Sequence, residues 1–207
     1  MKLLYGTTNQ SKLDSMRPIA ESMGFELLSL NDLQKPIPKI DESGSDPLEN
    51  AKIKAITYFD AFSVPVFSCD SGLYFDGLEE ELQPGTHIRR RNGVELSDEE
   101  MIEYYSNLAR EHGGQLRGRY KNAIYLVVDK STHYFTMDES IATEPFILTS
   151  TAHEKRVAGF PLDSLSLDIH TGQYYYDMAE RTVSQSTEEG CRAFFKKTIY
   201  TPPTKLE

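Results

Sequence analysis

The chain has 207 residues, 39% of them hydrophobic and 26% charged, a balance that suits one large domain or two small lobes and excludes wholesale disorder. Lys and Arg number 22 against 32 Asp and Glu, a net charge of −10, so the basic field that non-specific nucleic-acid binding needs is missing. No run approaches the roughly 20 apolar residues that span a bilayer, and the opening Met1-Lys2-Leu3-Leu4-Tyr5 is too short for a signal peptide, so neither nucleic acid nor a membrane is an expected partner.

Residues 2–8 read as a short buried strand that enters the polar turn Thr7-Thr8-Asn9-Gln10. Leu13, Met16, Ala20 and Met23 then recur at helical steps, with Pro18 predicting a kink or a late start and Gly24 a stop. Residues 25–29 suggest a second strand, and residues 31–46 a polar loop holding Pro36, Pro38 and Gly44. Leu48, Ala51, Ala55, Phe59 and Phe62 mark one apolar face of a helix. A strand over 64–68 follows, then Asp70-Ser71-Gly72 as a tight turn, with 73–75 extended again. Residues 77–93 look irregular. Ser97 and Glu100 form a capping-box pattern for a helix to about Glu111, closed by Gly113-Gly114. Strand-like runs occupy 120–129, 132–137 and 141–150, and the last helix is expected over 187–197. Strands alternate with helices early and cluster later, which predicts a mixed α/β fold around an elongated sheet. Its second lobe is expected at approximately 77–150 of a single 1–207 domain.

Cys69 and Cys191 make no disulfide framework, which points to a reducing cytoplasm. Neither they nor the five histidines have the spacing of a zinc site. Four other segments carry chemistry. Thr7-Thr8-Asn9-Gln10-Ser11-Lys12 places hydroxyl and amide residues before a helix N-terminus, either as a plain cap or as an anion site completed by Lys12. In Glu49-Asn50-Ala51-Lys52-Ile53-Lys54-Ala55, Asn50 and Lys54 share a helical face, either a solvated one or one presenting a lysine to phosphate beside a metal-binding carboxylate. Ser68-Cys69-Asp70-Ser71-Gly72-Leu73 lies at the carboxyl end of an apolar strand, where ligand sites form. Asp70 there suits a metal or a water's proton, and Ser71 a phosphate oxygen, unless the segment is an ordinary turn. Arg89-Arg90-Arg91 is either a solvated run or the source of one phosphate-binding arginine.

In order and spacing these segments resemble the Ham1-like nucleoside triphosphate pyrophosphatases, the inosine triphosphatase family. That family's hallmarks are a Thr-x-Asn-x-x-Lys turn, a Glu-Asn-Ala-x-x-Lys-Ala helix, an acidic-Asp-Ser-Gly-Leu turn and a Pro-Gly loop ending in arginine. They are matched by 7–12, 49–55, 69–73 and Pro84-Gly85 with Arg90. The family's Phe-Gly-Tyr-Asp-Pro segment is met loosely by Gly159-Phe160-Pro161-Leu162-Asp163, and its Ser-His-Arg motif is replaced by Ser184-Gln185-Ser186.

The resemblance implies two lobes around a central cleft, a homodimer, and Mg²⁺-dependent hydrolysis of aberrant purine nucleoside triphosphates such as ITP, dITP and XTP. The products would be the monophosphate and pyrophosphate. Carried over by motif, Thr8, Asn9, Lys12, Lys54 and Ser71 hold the triphosphate, with Arg90 completing the phosphate site. Lys12 and Asp70 serve catalysis, with Asp70 the general base. Glu49 and Asp70 serve the metal, and Phe160, Asp163, Ser184 and Gln185 the rest of the substrate. Two departures set the alternative of a catalytically weakened nucleotide-binding protein. Cys69 stands where the family has a second acid, and the lost His-Arg pair predicts relaxed base discrimination unless Arg181 or Arg192 takes its role.

Overall fold

The computed structural model describes residues 1–91, 93–178 and 185–200, and the side chains of Gln185 and Ser186 lie outside that description. Its elements run β1 (Lys2–Tyr5), α1 (Gln10–Met23), β2 (Glu26–Leu28), α2 (Pro47–Phe62), β3 (Val66–Phe75), β4 (Arg90–Arg91), β5 (Val94–Glu95) and α3 (Asp98–Glu111). They continue with β6 (Gln115–Val127), β7 (His133–Thr136), β8 (Phe146–Thr149), β9 (Ser166–Asp168) and α4 (Gln185–Phe195). Helices flank a mixed sheet, and the chain divides into two compact units.

The first unit takes residues 1–71, 121–142 and the C-terminal segment from 185. There β1 pairs in parallel with β2 and β3, and β6 pairs antiparallel with β7. The two-residue period of the strands sorts their side chains between two faces. Leu3, Tyr5, Phe67, Ile124 and Leu126 pack against Leu13, Met16 and Ile19 of α1 and Phe194 and Phe195 of α4. Leu4, Val66, Ala123, Tyr125 and Val127 pack against Ala51, Ala55, Tyr58 and Phe62 of α2.

The second unit takes residues 72–120 and the described part of 143–184. In it β8 lies antiparallel to β6 and β9 antiparallel to β8. Its core joins Leu73, Phe75, Leu116, Phe146 and Leu148 to Met101, Ile102, Tyr105 and Leu108 of α3.

Three sequence expectations are corrected. The Asp70-Ser71-Gly72 segment makes no turn and stays inside β3. Gly72 is there for a close approach, because a Cβ on it would meet Tyr74 at 2.9 Å and the Gly85 backbone at 3.1 Å. Leu73 and Gly85 exchange both backbone hydrogen bonds. Next, α1 does not start late: Asn9 caps it, and it passes through the exposed Pro18 to end at Gly24 with φ +69°. Lastly, the second unit is not continuous over 77–150. The 13-residue β6 gives its N-terminal half to β8 and its C-terminal half to β7, so 121–142 returns to the first unit.

Candidate functional site

Three of the motif segments, 7–12, 49–55 and the third as far as Ser71, belong to the first unit. At the end of β1, Gly6 has no room for a side chain, since a Cβ would lie 2.3 Å from Ser68 Oγ and 2.6 Å from the Tyr58 ring. Ser68 Oγ instead donates to the Gly6 carbonyl at 3.1 Å, fastening the end of β1 to β3. The chain then turns into α1. Asn9 N–H donates to Thr7 Oγ1, and Asn9 Oδ1 accepts from the Lys12 amide at 3.2 Å. Thr8 and Asn9 are exposed, and Lys12 is half-buried. An N-terminus of this kind leaves N–H groups and a positive helix end facing outward.

Lys54 is the centre of charge. Its ammonium lies 3.0 Å from Asp70 Oδ1 and 3.2 Å from Glu42 Oε1, with only 9% of its side chain exposed against 13% for Asp70. Asp46 caps α2 and Pro47 begins it, which fixes the helix that carries this lysine. Glu49 is engaged by the loop before α2. Its carboxylate accepts from the Ser45 amide at 2.8 Å and the Ser45 hydroxyl at 3.0 Å, bonds that hold it below the usual carboxylate range. Asn50, 1% exposed, accepts from the Gly44 amide at 2.8 Å. Glu49 and Asn50 thus pin the loop that delivers Glu42. Sequence reading missed Glu42 because it reaches Lys54 through an irregular loop, without helical spacing.

On β3, Ser71 donates to Asn122 Oδ1 at 2.7 Å, and Asn122 Nδ2 donates to the Ile141 carbonyl at 2.7 Å. Cys69 packs on the same apolar face as Cys191 and shares a hydrogen bond with Tyr5. Burial pushes its thiol up, although Tyr5, Lys12 and Lys54 pull the other way. Both cysteines are free thiols.

The remaining candidates belong to the second unit or lie outside the description. The arginine run divides its tasks. Arg89 pairs with Asp98 at 2.8 Å, and Arg91 lies over the Tyr104 ring at 4.9 Å. Arg90 is exposed beside a depression of ≈ 530 Å³ lined also by Pro84, His87 and Tyr104. Phe160 is half exposed, and Asp163 sits in the short 3₁₀ turn Pro161–Leu165. Ser184 and Arg181 fall outside the described residues, as does the Gln185 side chain, while the backbone of Gln185 opens α4. Arg192 is engaged by Ser22 and, at 3.4 Å, by Glu188.

Among the described residues no three His, Cys, Asp or Glu side chains form a metal cage. Magnesium asks for less, because it is bound through one or two carboxylates together with substrate phosphates. The hard oxygen donors Glu42 and Asp70, brought to one ammonium, fit that demand.

A family model described as the Ham1 family matches residues 3–154. A dITP/XTP pyrophosphatase of Oceanobacillus iheyensis is 34% identical over 102 residues, covering 49% of this chain and 51% of the relative. One of Leptospira interrogans is 33% identical over 131 residues, covering 63% and 64%. The matched stretch thus spans between half and two thirds of these curated relatives. A Ham1 protein of Staphylococcus aureus superposes with a TM-score of 0.75 at 19% identity, covering 95% of this chain and 98% of that one. A HAM1 protein of Coxiella burnetii does so with 0.77 at 17% identity, covering 95% and 99%. At such identities the likeness speaks for the fold.

Proposed function

The chain belongs to the Ham1 family, and from that premise we propose that it hydrolyses aberrant purine nucleoside triphosphates, of the dITP and XTP kind, to the monophosphate and pyrophosphate. The observation that carries this reading is the buried Lys54, held between Glu42 and Asp70 in the unit that also presents the Lys12 turn. Phosphoryl transfer is largely positioning and charge neutralisation. The outward N–H groups after Asn9, with Thr8 and Lys12, receive one part of the triphosphate, and Lys54 another.

Glu42 and Asp70 would hold Mg²⁺, with Glu49 acting through the loop it ties rather than as a ligand. When bound, Mg²⁺ would neutralise phosphate charge and acidify a water. Asp70 accepts the proton of the attacking water as the bond between the α and β phosphates breaks. Lys54 keeps that carboxylate aimed through their 3.0 Å contact. Arg90, Phe160, Asp163, Ser184 and Gln185 keep the substrate-binding roles that the resemblance implies. A homodimer is the proposed assembly, and the free thiols of Cys69 and Cys191 support a reducing cytoplasm. No helix among the described residues is long and apolar enough to cross a membrane.

Pyrophosphate release from ITP, dITP, XTP and ATP with Mg²⁺ tests the reading. Release from the first three is expected, with ATP discriminated less sharply because Ser184-Gln185-Ser186 stands where the resemblance places a His-Arg pair. A second reading, tight binding with slow turnover, draws on Cys69, whose protonated thiol supplies no negative charge where the resemblance implies an acid. Binding of ITP without pyrophosphate would favour it, and binding of no nucleotide would overturn both.

A further inference from the structure

Ser71 has one hydroxyl proton, and the structure shows where it goes. A main-chain carbonyl only accepts hydrogen bonds, so the Asn122 amide must turn its nitrogen toward Ile141, 2.7 Å away. The amide oxygen is thereby left facing Ser71 Oγ at 2.7 Å, and that oxygen can only accept. The Ser71 proton is committed to Asn122, and the lone pairs of Oγ are what it offers a ligand.

The amide has little freedom to turn over. Ile141 is fully buried and closes the 3₁₀ turn Glu139–Ile141. Against that turn α4 packs so tightly that a Cβ on Gly190 would lie 1.9 Å from the Ser140 carbonyl oxygen. Thr187 Oγ1 donates to the next carbonyl, of Ala142, at 2.9 Å.

A triphosphate at neutral pH is a chain of acceptors with negative charge. The hydrogen-bond donors of a nucleoside triphosphate sit on its other half, as ribose hydroxyls and base N–H groups. We propose that Asn122 is a positioning residue that locks Ser71 as a hydrogen-bond acceptor for the nucleoside half of the substrate, not for its phosphates. The proposal rests on the nucleotide reading above and reverses the role that the motif resemblance gives Ser71.

Calorimetric binding of two probes, each with Mg²⁺, tests it: the α,β-methylene analogue of ITP, which cannot be cleaved, and inorganic tripolyphosphate, which has no nucleoside. Ser71→Ala is expected to weaken the analogue about five- to tenfold, the worth of one hydrogen bond, and to leave tripolyphosphate unchanged. Asn122→Ala frees the serine proton to meet phosphate, so the affinity ratio shifts several-fold toward tripolyphosphate. Asn122→Asp still accepts that proton and keeps the parental ratio, even where its charge weakens both probes together. A merely structural Asn122 would move both affinities and leave the ratio alone in all variants, which overturns the proposal. Equal weakening of both probes by Ser71→Ala also overturns it. A parent chain that binds neither probe overturns the nucleotide reading itself, and the proposal with it.

Discussion

Lys54 illustrates how one residue links stability to chemistry. A buried charge is tolerated only when paired, and here two carboxylates share it. Asp70→Asn preserves an oxygen that accepts from Lys54, so the fold should persist with an unchanged near-ultraviolet spectrum. The amide takes no proton, and kcat for ITP should fall by about 10²–10⁴, the usual worth of a general base. A near-parental kcat at saturating Mg²⁺ would contradict the assignment. Glu42→Gln and Glu49→Gln separate two roles. Glu42 is half exposed, and Asp70 still pairs with Lys54 when Glu42 is neutralised, so this variant should melt close to the parent while needing more Mg²⁺ for half-maximal rate. Glu49→Gln should act first on the loop it ties, lowering the melting temperature. Identical Mg²⁺ titrations for Glu42→Gln and parent would remove Glu42 from the metal.

Element boundaries follow short-range chemistry, which is why many were legible in the sequence. Ser97 and Glu100 form the reciprocal capping box their spacing predicts, and Asn9 and Gly24 close the two ends of α1. Ser97→Ala should therefore cost about 1 kcal/mol in urea denaturation. Elements defined by distant partners were not legible. Asp70-Ser71-Gly72 has turn residues, yet a neighbouring backbone at Gly85 keeps it extended. The return of 121–142 to the first unit depends on which strand each half of β6 meets. At the site, Lys12, Lys54 and Asp70 stood in motifs, whereas Glu42 and Asn122 are joined to it only by tertiary hydrogen bonds and ion pairs. The packing of α4 on the 139–141 turn belongs to the same class. Gly190→Ala sets a methyl against the Ser140 carbonyl, which is backbone and cannot swing aside. Destabilisation of about 1–3 kcal/mol is expected from such overpacking, and an unchanged urea midpoint would refute the close approach.

Across the whole molecule, both units bury weak acids in neutral form, and this sets the alkaline limit of stability. In the first unit burial pushes Cys191 up to about 12 and raises Cys69 and Tyr5, and in the second it pushes Tyr105 up to about 12. An unfolded chain would begin to release these protons near the ordinary values of roughly 8.5 for cysteine and 10 for tyrosine. Between those values and about 12 the unfolded state binds fewer protons than the native one, so stability must fall as pH rises. It is fully present below the unfolded values. The acid side runs the other way. Hydrogen bonds from Ser131 and Thr132 lower Asp129 to about 2, and Asp32, Asp138 and Asp168 are lowered in the same manner. Their contribution is present above the ordinary carboxylate value and is lost as pH falls from there through the lowered native values, about 2 for Asp129. The expected profile is a plateau through neutrality with a decline on each side, measured as the urea midpoint from pH 3 to 11. Cys191→Ala isolates one term. Its cavity lowers the whole curve by a constant amount, while the missing thiol makes the decline above about pH 8.5 shallower. A parental slope in that variant would show that Cys191 ionises alike in both states, against its burial at 7% exposure between α4 and the first core.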